Sequence, residues 1–264
     1  AGCKYEDIRR ALPSEPNAVP IRSVKISNTK KSQAFSTAEQ AIKSLENNMG
    51  PHACKWEYHN STGEIICYVI RWDSRQGKTF RPISTSNGNW HVASCVELRP
   101  LYKLREIAES EIVFICEGEK AADAVASLGL VATSSMGGSN AAAKSDWGPL
   151  GGKTCVVLPD NDSSGRTYAN TVARLAGLLD IKPKTIKFLD LPGLPEKGDA
   201  VDWLEGQADL STAELKVKLL MLTSEKGYQP PFVKVGPALV SFDTIEAVPV
   251  EWLWESRVAL GTIT

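Results

Sequence analysis

The chain has 264 residues, a hydrophobic fraction of 42% and a formal net charge of −1. This is enough apolar material for one large domain or two modest ones, and no run approaches the ~20 apolar residues that a bilayer span needs. The near-zero charge leaves partners open, because a nucleic-acid protein can hold a local basic face within a neutral total. The six cysteines, Cys3, Cys54, Cys67, Cys95, Cys116 and Cys155, are scattered. Three of them sit in strand-like apolar runs, so they read as free thiols in a reducing cytoplasm. His52 and Cys54 lie close together, but no CxxC or HxxxH pattern completes a zinc site around them. No secretory signal is visible at the start.

In chain order, Tyr5–Leu12 reads as a short helix, and residues 13–33, rich in Pro, Ser, Asn and Lys, as a linker. Ser36 with Glu39 is a capping-box pattern that opens a helix closed by Gly50 and Pro51. Residues 54–92 alternate as strands do, with turns at Asn60–Gly63, Gly77 and Asn87-Gly88, which predicts a small antiparallel meander.

After Glu109 apolar runs alternate with helical stretches. Strands are predicted at 112–116, 131–134, 154–158 and 185–189, and helices at 120–128, 139–146 and 165–179. Such alternation predicts an α/β fold, a parallel sheet with helices on both faces. Ser211 and Glu214 form a second capping box, opening a helix that ends at Gly227. The remainder is Pro-punctuated and extended.

In open parallel sheets functional groups collect beyond the carboxyl ends of the strands, and this sequence puts acids there. Glu117 directly follows Ile112–Cys116. Asp160 and Asp162 follow Val156–Pro159 and, in an extended segment, face the same way with Asn161 turned away. Crowded carboxylates either hold a proton or are neutralised by a cation. Oxygen donors without His or Cys suit a hard ion, Mg²⁺ or Mn²⁺. A second acid pair, Asp199 and Asp202, lies beyond a Pro/Gly-rich loop and can close over the same place. The bland alternative for each acid is a helix cap or a turn former.

The stretch IVFICEGEKAADA at residues 112–124, with VVLPDNDSSGR at 156–166, resembles the Toprim domain shared by bacterial primases, topoisomerases and some nucleases. The version EGEK…PDNDxxGR…KGDxxDWL looks most like the primases fused to RecA-like helicases in phages and mobile elements. The resemblance implies a Rossmann-like parallel sheet at 109–207, preceded at 35–108 by a small α+β primase subdomain. It implies that Glu117, Asp160 and Asp162 are the catalytic metal ligands, joined less securely by Asp199 and Asp202. One departure is Ala121, where many relatives carry an additional acid; the nearest here is Asp123. Residues 1–34 resemble the exit of a zinc ribbon and a linker, with Cys3 as one Zn²⁺ ligand of an incomplete site. Residues 208–264 resemble a helix and linker towards a RecA-like helicase. No G-x-x-x-x-G-K-[ST] occurs, so no ATPase site is expected, and the chain reads as the middle of a longer protein.

The function so implied is a DNA primase: Mg²⁺-dependent, template-directed synthesis of short primers on single-stranded DNA from nucleoside triphosphates. Lys120, Lys144, Lys153 and Arg166 are the candidates to meet phosphates. Arg71, Lys78, Arg81, Arg99, Lys103 and Arg105 are the candidates to guide DNA, and Trp72 and Trp90 the candidates to stack on bases; the bland alternative is solvated strand faces and core tryptophans. A replicative helicase domain is the implied partner, and the fragment is expected to be monomeric. Two rivals stand beside this reading: a Toprim metal-dependent nuclease, and a catalytically degenerate DNA-binding or scaffolding segment. Nothing here looks like the nucleophilic tyrosine domain of a topoisomerase.

Overall fold

The computed structural model describes residues 33–95, 98–230, 252–254 and 258–259. Cys3, the Tyr5–Leu12 helix and most of the predicted linkers lie outside these residues. Five strands form an antiparallel sheet: β1 (Ala34–Phe35), β2 (Cys54–His59), β3 (Ile65–Ser74), β4 (Gly77–Ser86) and β5 (Asn89–His91), in the order β1-β5-β4-β3-β2. The predicted meander is thus present, with β1 added at the edge beside β5. Asn87 and Gly88 both have positive φ, 51° and 73°. That is the tight hairpin connection this dipeptide favours.

Helix α1 (Ala38–Met49) covers one face of this sheet. Ala38, Ala41 and Ile42 pack on Tyr68, Ile70, Trp72 and Ile83. The helix starts one residue later than the pattern suggested: Thr37 Oγ1 accepts from Gln40 N–H at 3.3 Å, and Gln40 Oε1 accepts from Ser36 N–H at 3.1 Å. Trp72, one of the two stacking candidates, takes the alternative role of a core residue, only 4% exposed, with its indole N–H donating to the Gly50 carbonyl. Trp90 packs on Tyr68, ring centroids 5.5 Å apart. Both tryptophans take the interior role because strand alternation turns their positions to the α1 side.

A parallel sheet follows, formed by β6 (Ile112–Cys116), β7 (Ala132–Thr133), β8 (Thr154–Leu158) and β9 (Thr185–Phe188), in the order β7-β6-β8-β9. Alternate residues go to opposite faces. Val113, Ile115, Cys155 and Val157 meet Tyr168, Ala169 and Val172 of α4 (Ser163–Gly177), with α2 (Leu104–Glu109) on the same side through Ile107. Phe114, Cys116, Val156 and Leu158 meet α3 (Glu119–Ala126), α5 (Ala200–Glu205) and α6 (Thr212–Glu225). Strands buried on both faces read as unbroken apolar runs, which is why they were legible. The fold is the expected mixed α/β arrangement, a parallel sheet with helices on both faces behind an antiparallel one. The second apolar cluster also takes in Trp56, Tyr58, Cys67 and Val69, so one core joins the two sheets.

Several boundaries move. The predicted helix at 139–146 is a 3-10 turn over Ser139–Lys144. It stops there because Asp146 N–H donates to the Arg99 carbonyl at 2.7 Å and Ser145 bridges Arg99, pulling the chain straight. Helix α4 begins at Ser163, since Asp162 caps it. The Ser211/Glu214 capping box forms as read, and α6 ends at Glu225. Helices α2 and α5, each six residues, carry too short a pattern to register in sequence. Trp252–Trp254 (β10) and Val258–Ala259 (β11) pair antiparallel. Among the described residues no helix is long and apolar enough to cross a membrane.

Candidate metal and nucleotide site

The parallel register aligns Cys116 of β6 with Leu158 of β8. The chain leaves both strands at the same level, so Glu117 and Asp160 emerge side by side. Asp199 and Asp202 reach the same place from the N-terminus of α5. Glu117, Asp160, Asp199 and Asp202 all line one cavity of about 600 Å³ between the two sheets. Burial pushes the Asp160 carboxyl up to about 7, and the neighbouring charges of Glu117, Asp199, Asp162 and Asp202 push the same way. The crowding anticipated from sequence is therefore electrostatically real at Asp160.

Three of the five acids carry a backbone task first. Asp162 does not line the cavity: its Oδ1 accepts from Gly165 N–H at 2.8 Å and caps α4. The extended i, i+2 geometry fails because Asp162 N–H turns back onto the Asp160 carbonyl at 2.7 Å. Asp199 Oδ1 accepts from Val201 N–H at 2.6 Å, while Asp202 Oδ2 accepts from Asp199 N–H at 2.9 Å, closing a capping box. Gly165 makes the tight turn possible. A Cβ there would sit 2.3 Å from the Asp160 carbonyl oxygen, so only glycine lets α4 pack this close.

Among the described residues no three His, Cys, Asp or Glu side chains form a preassembled metal cage. The donor set nevertheless fits Mg²⁺, which keeps most of its water and is bound through one or two carboxylates plus phosphate oxygens. Glu117 and Asp160, with the free oxygens of Asp199 and Asp202, are the groups that would hold it.

The opposite wall is the antiparallel sheet. On β4, Lys78, Phe80 and Pro82 line the cavity with the period of two that a strand imposes. Arg81 falls on the other face and is exposed outside it, its guanidinium donating to the Phe80 carbonyl. Arg71, opposite Phe80 in the ladder, also faces the cavity; it ion-pairs with Asp73 at 2.7 Å and lies over the Phe80 ring at 6.0 Å. Arg99 lines the cavity too and donates to the Met136 carbonyl. Lys103 and Arg105 lie elsewhere, on a shallow groove beside β2, where Lys103 pairs with Asp123 at 2.9 Å. Arg105 donates to the Gly63 carbonyl.

Of the phosphate candidates only Lys120 lines the cavity. Lys153 precedes β8, at the end of the sheet away from the acids, and donates to the Ala108 carbonyl at 3.0 Å. At about 3.3 Å per strand residue it is roughly 20 Å from Asp160. Arg166 is held by Asp190 and the Tyr228 hydroxyl. Lys144 is exposed and off the cavity. Sequence adjacency misled here because a strand's two ends are close in number and far apart in space.

Three contributors to the cavity escaped sequence reading. Glu119 is 6% exposed and accepts from the Tyr58 hydroxyl at 2.7 Å. Phe80 is 43% exposed within the cavity wall. Lys197 also lines it. The alternation Lys78-Thr79-Phe80-Arg81-Pro82 held the signal for Phe80; nothing local held it for the Tyr58–Glu119 pair, 61 residues apart in sequence.

No protein-family model matches the chain, and no curated protein does. Among solved structures, the catalytic core of E. coli primase is similar over 74% of this chain and 63% of its own, at 16% identity and a TM-score of 0.43. The zinc-binding and RNA polymerase domains of Aquifex aeolicus primase are similar over 75% and 51%, at 15% identity and a TM-score of 0.43. A primase catalytic domain bound to single-stranded DNA shows 14% identity over 73% and 62%, with a TM-score of 0.35. The chain thus spans under two thirds of the length of each.

Proposed function

We propose that this chain is the catalytic core of a DNA primase, joining nucleoside triphosphates into short primers on single-stranded DNA at an Mg²⁺- or Mn²⁺-dependent site, within a larger replication protein of the primase-helicase type. The observation that carries this reading is the convergence of Glu117, Asp160 and Asp199 on one cavity. Their three segments are distant in sequence, and burial, with the neighbouring carboxylates adding to it, raises the Asp160 carboxyl to about 7. When bound, the divalent ion supplies neutralisation of phosphate charge and activation of a primer hydroxyl. The chain's own groups do the positioning. Glu117 and Asp160 hold the ion, while Lys120 and Arg99 lie on the same cavity to meet phosphate oxygens. Phe80, exposed beside Arg71, offers an unpaired base a ring to stack on. No side chain is assigned as a general base, since phosphoryl chemistry depends mainly on placement and charge.

A template-directed synthesis assay with Glu117→Ala and Asp160→Ala tests the reading. Each variant is expected to lose at least about 100-fold of the activity; full activity in both removes the proposal. Metal-dependent nicking without synthesis, abolished by the same substitutions, would favour the nuclease reading. Anomalous density from a Mn²⁺ soak between Glu117 and Asp160 would argue against the scaffold reading.

A further inference from the structure

The two acid-bearing segments do not merely happen to meet. Asn161, between Asp160 and Asp162, makes four hydrogen bonds to the loop that delivers Asp199. Its Nδ2 donates to the Leu194 carbonyl at 3.0 Å and to the Pro195 carbonyl at 2.9 Å. Its main-chain N–H donates to the Gly198 carbonyl at 2.9 Å, and its own carbonyl accepts from Lys197 N–H at 3.1 Å.

The loop needs this support. Lys197 has φ 63°, a left-handed conformation unfavourable for a residue with a side chain. The next residue, Gly198, is packed so tightly that a Cβ would lie 2.8 Å from the Pro195 ring. Backbone held in a sparsely populated region persists only where surrounding contacts over-determine it. Asn161 supplies those contacts. A single residue, through two side-chain and two main-chain bonds, thus links the turn after β8 to the N-terminus of α5, where Asp199 and Asp202 begin.

We propose that Asn161 is a positioning residue: it clamps the 194–198 loop onto the 160–162 turn and so sets the separation of Asp160 and Asp199. This rests on the reading of those acids as the ion-holding group. Asn is suited to the task because its amide offers two N–H donors to two carbonyls. Aspartate at this position would confront the same carbonyls with a like-charged oxygen and add a further negative charge to a crowded site.

The test uses Asn161→Ala, Asn161→Asp and, as a control for general loosening, Val172→Ala in the core beneath α4. Amide hydrogen exchange on the metal-free chain reads the clamp itself. Asn161→Ala is expected to speed exchange at residues 197–202 about tenfold or more while leaving β6, β8 and α6 unchanged. Mn²⁺ titration reads the consequence, an expected 10–100-fold loss of affinity, the usual effect of removing a group that orients ligands. Val172→Ala is expected to lower the melting temperature without changing either reading. Asn161→Asp, nearly isosteric, carries the same exchange expectation should the alanine variant fail to fold. Unchanged exchange at 197–202 in the Asn161 variants, or an equal change in Val172→Ala, overturns the proposal. If the unsubstituted chain takes up no Mn²⁺, the ion-holding reading of the acids fails, and the exchange experiment still decides the clamp.

Discussion

The Tyr58 hydroxyl donates to the Glu119 carboxylate at 2.7 Å, where Tyr58 is fully buried and Glu119 nearly so. This bond runs from the antiparallel sheet to the first turn of α3, two residues from Glu117. Beside it, Asp123 accepts from the Trp56 indole at 2.8 Å and the Tyr102 hydroxyl at 2.9 Å. Polar links of this kind fix how one sheet sits over the other, and hence the width of the cavity. Burial raises the Glu119 carboxyl, and the Tyr58 bond opposes that rise.

Tyr58→Phe leaves a buried carboxyl without its donor. The expected cost is about 1–3 kcal/mol, read as a lowered melting temperature. Because the Glu119 pKa is raised in the folded state, its stability contribution is full at low pH and is lost as pH rises. The variant raises that pKa further, so its deficit should be larger at pH 8 than at pH 5. Equal melting temperatures for variant and parent at both pH values would show that the bond contributes nothing.

Asp160 gives the clearest pH dependence. Its folded value of about 7 stands above the ordinary 3.8. Between these values the folded chain retains a proton that the unfolded chain releases, so stability falls as pH rises through the window. Since Asp160 is partly exposed, the loss between pH 5 and 8 is discounted to about 1–2 kcal/mol. Asp160→Asn should remove that part of the slope, and Mg²⁺ should restore stability to the parent at pH 8. Melts with chelator and with Mg²⁺ check both; identical slopes in parent and variant would refute the crowding.

Asp162 separates capping from ion binding. Asparagine is as good an N-cap as aspartate, whereas alanine costs about 1 kcal/mol. Asp162→Asn is therefore expected to keep the parent's melting temperature, and Asp162→Ala to lower it. Both should reduce Mn²⁺ affinity less than Asp160→Asn does, because of these two acids Asp160 lines the cavity and Asp162 does not. Isothermal titration of the three variants decides the order.

On the opposite wall, Lys78 and Phe80 share one strand face and Arg81 the other. Lys78→Ala should weaken single-stranded DNA binding and lower the slope of log affinity against log salt by about 0.7. Phe80→Ala should cost about 1–3 kcal/mol with little change in that slope. Arg81→Ala should leave both unchanged. Anisotropy titrations across salt concentrations distinguish the three; equal effects at all positions would mean that this wall is not the DNA track.

Sequence alone determined the strands and which of them run through the core. A buried parallel strand must be apolar at every position, and a hairpin with Asn-Gly must turn tightly; both are local demands written into adjacent residues. It also determined that acids follow β6 and β8, because strand ends are where the apolar run stops. Which groups meet depends on how remote segments pack. Asp162 caps α4, its Oδ1 accepting from Gly165 N–H, and does not line the cavity. Lys153 and Arg166 left the site because neighbours in sequence sit at opposite ends of a strand or are drawn to other partners. Asn161, which pattern alone turned away from the chemistry, holds two acid segments together through hydrogen bonds to carbonyls more than thirty residues downstream. Local sequence specifies a conformation through sterics and hydrogen bonding among neighbours. A site is specified by distances between remote segments, and those exist only once the core has closed.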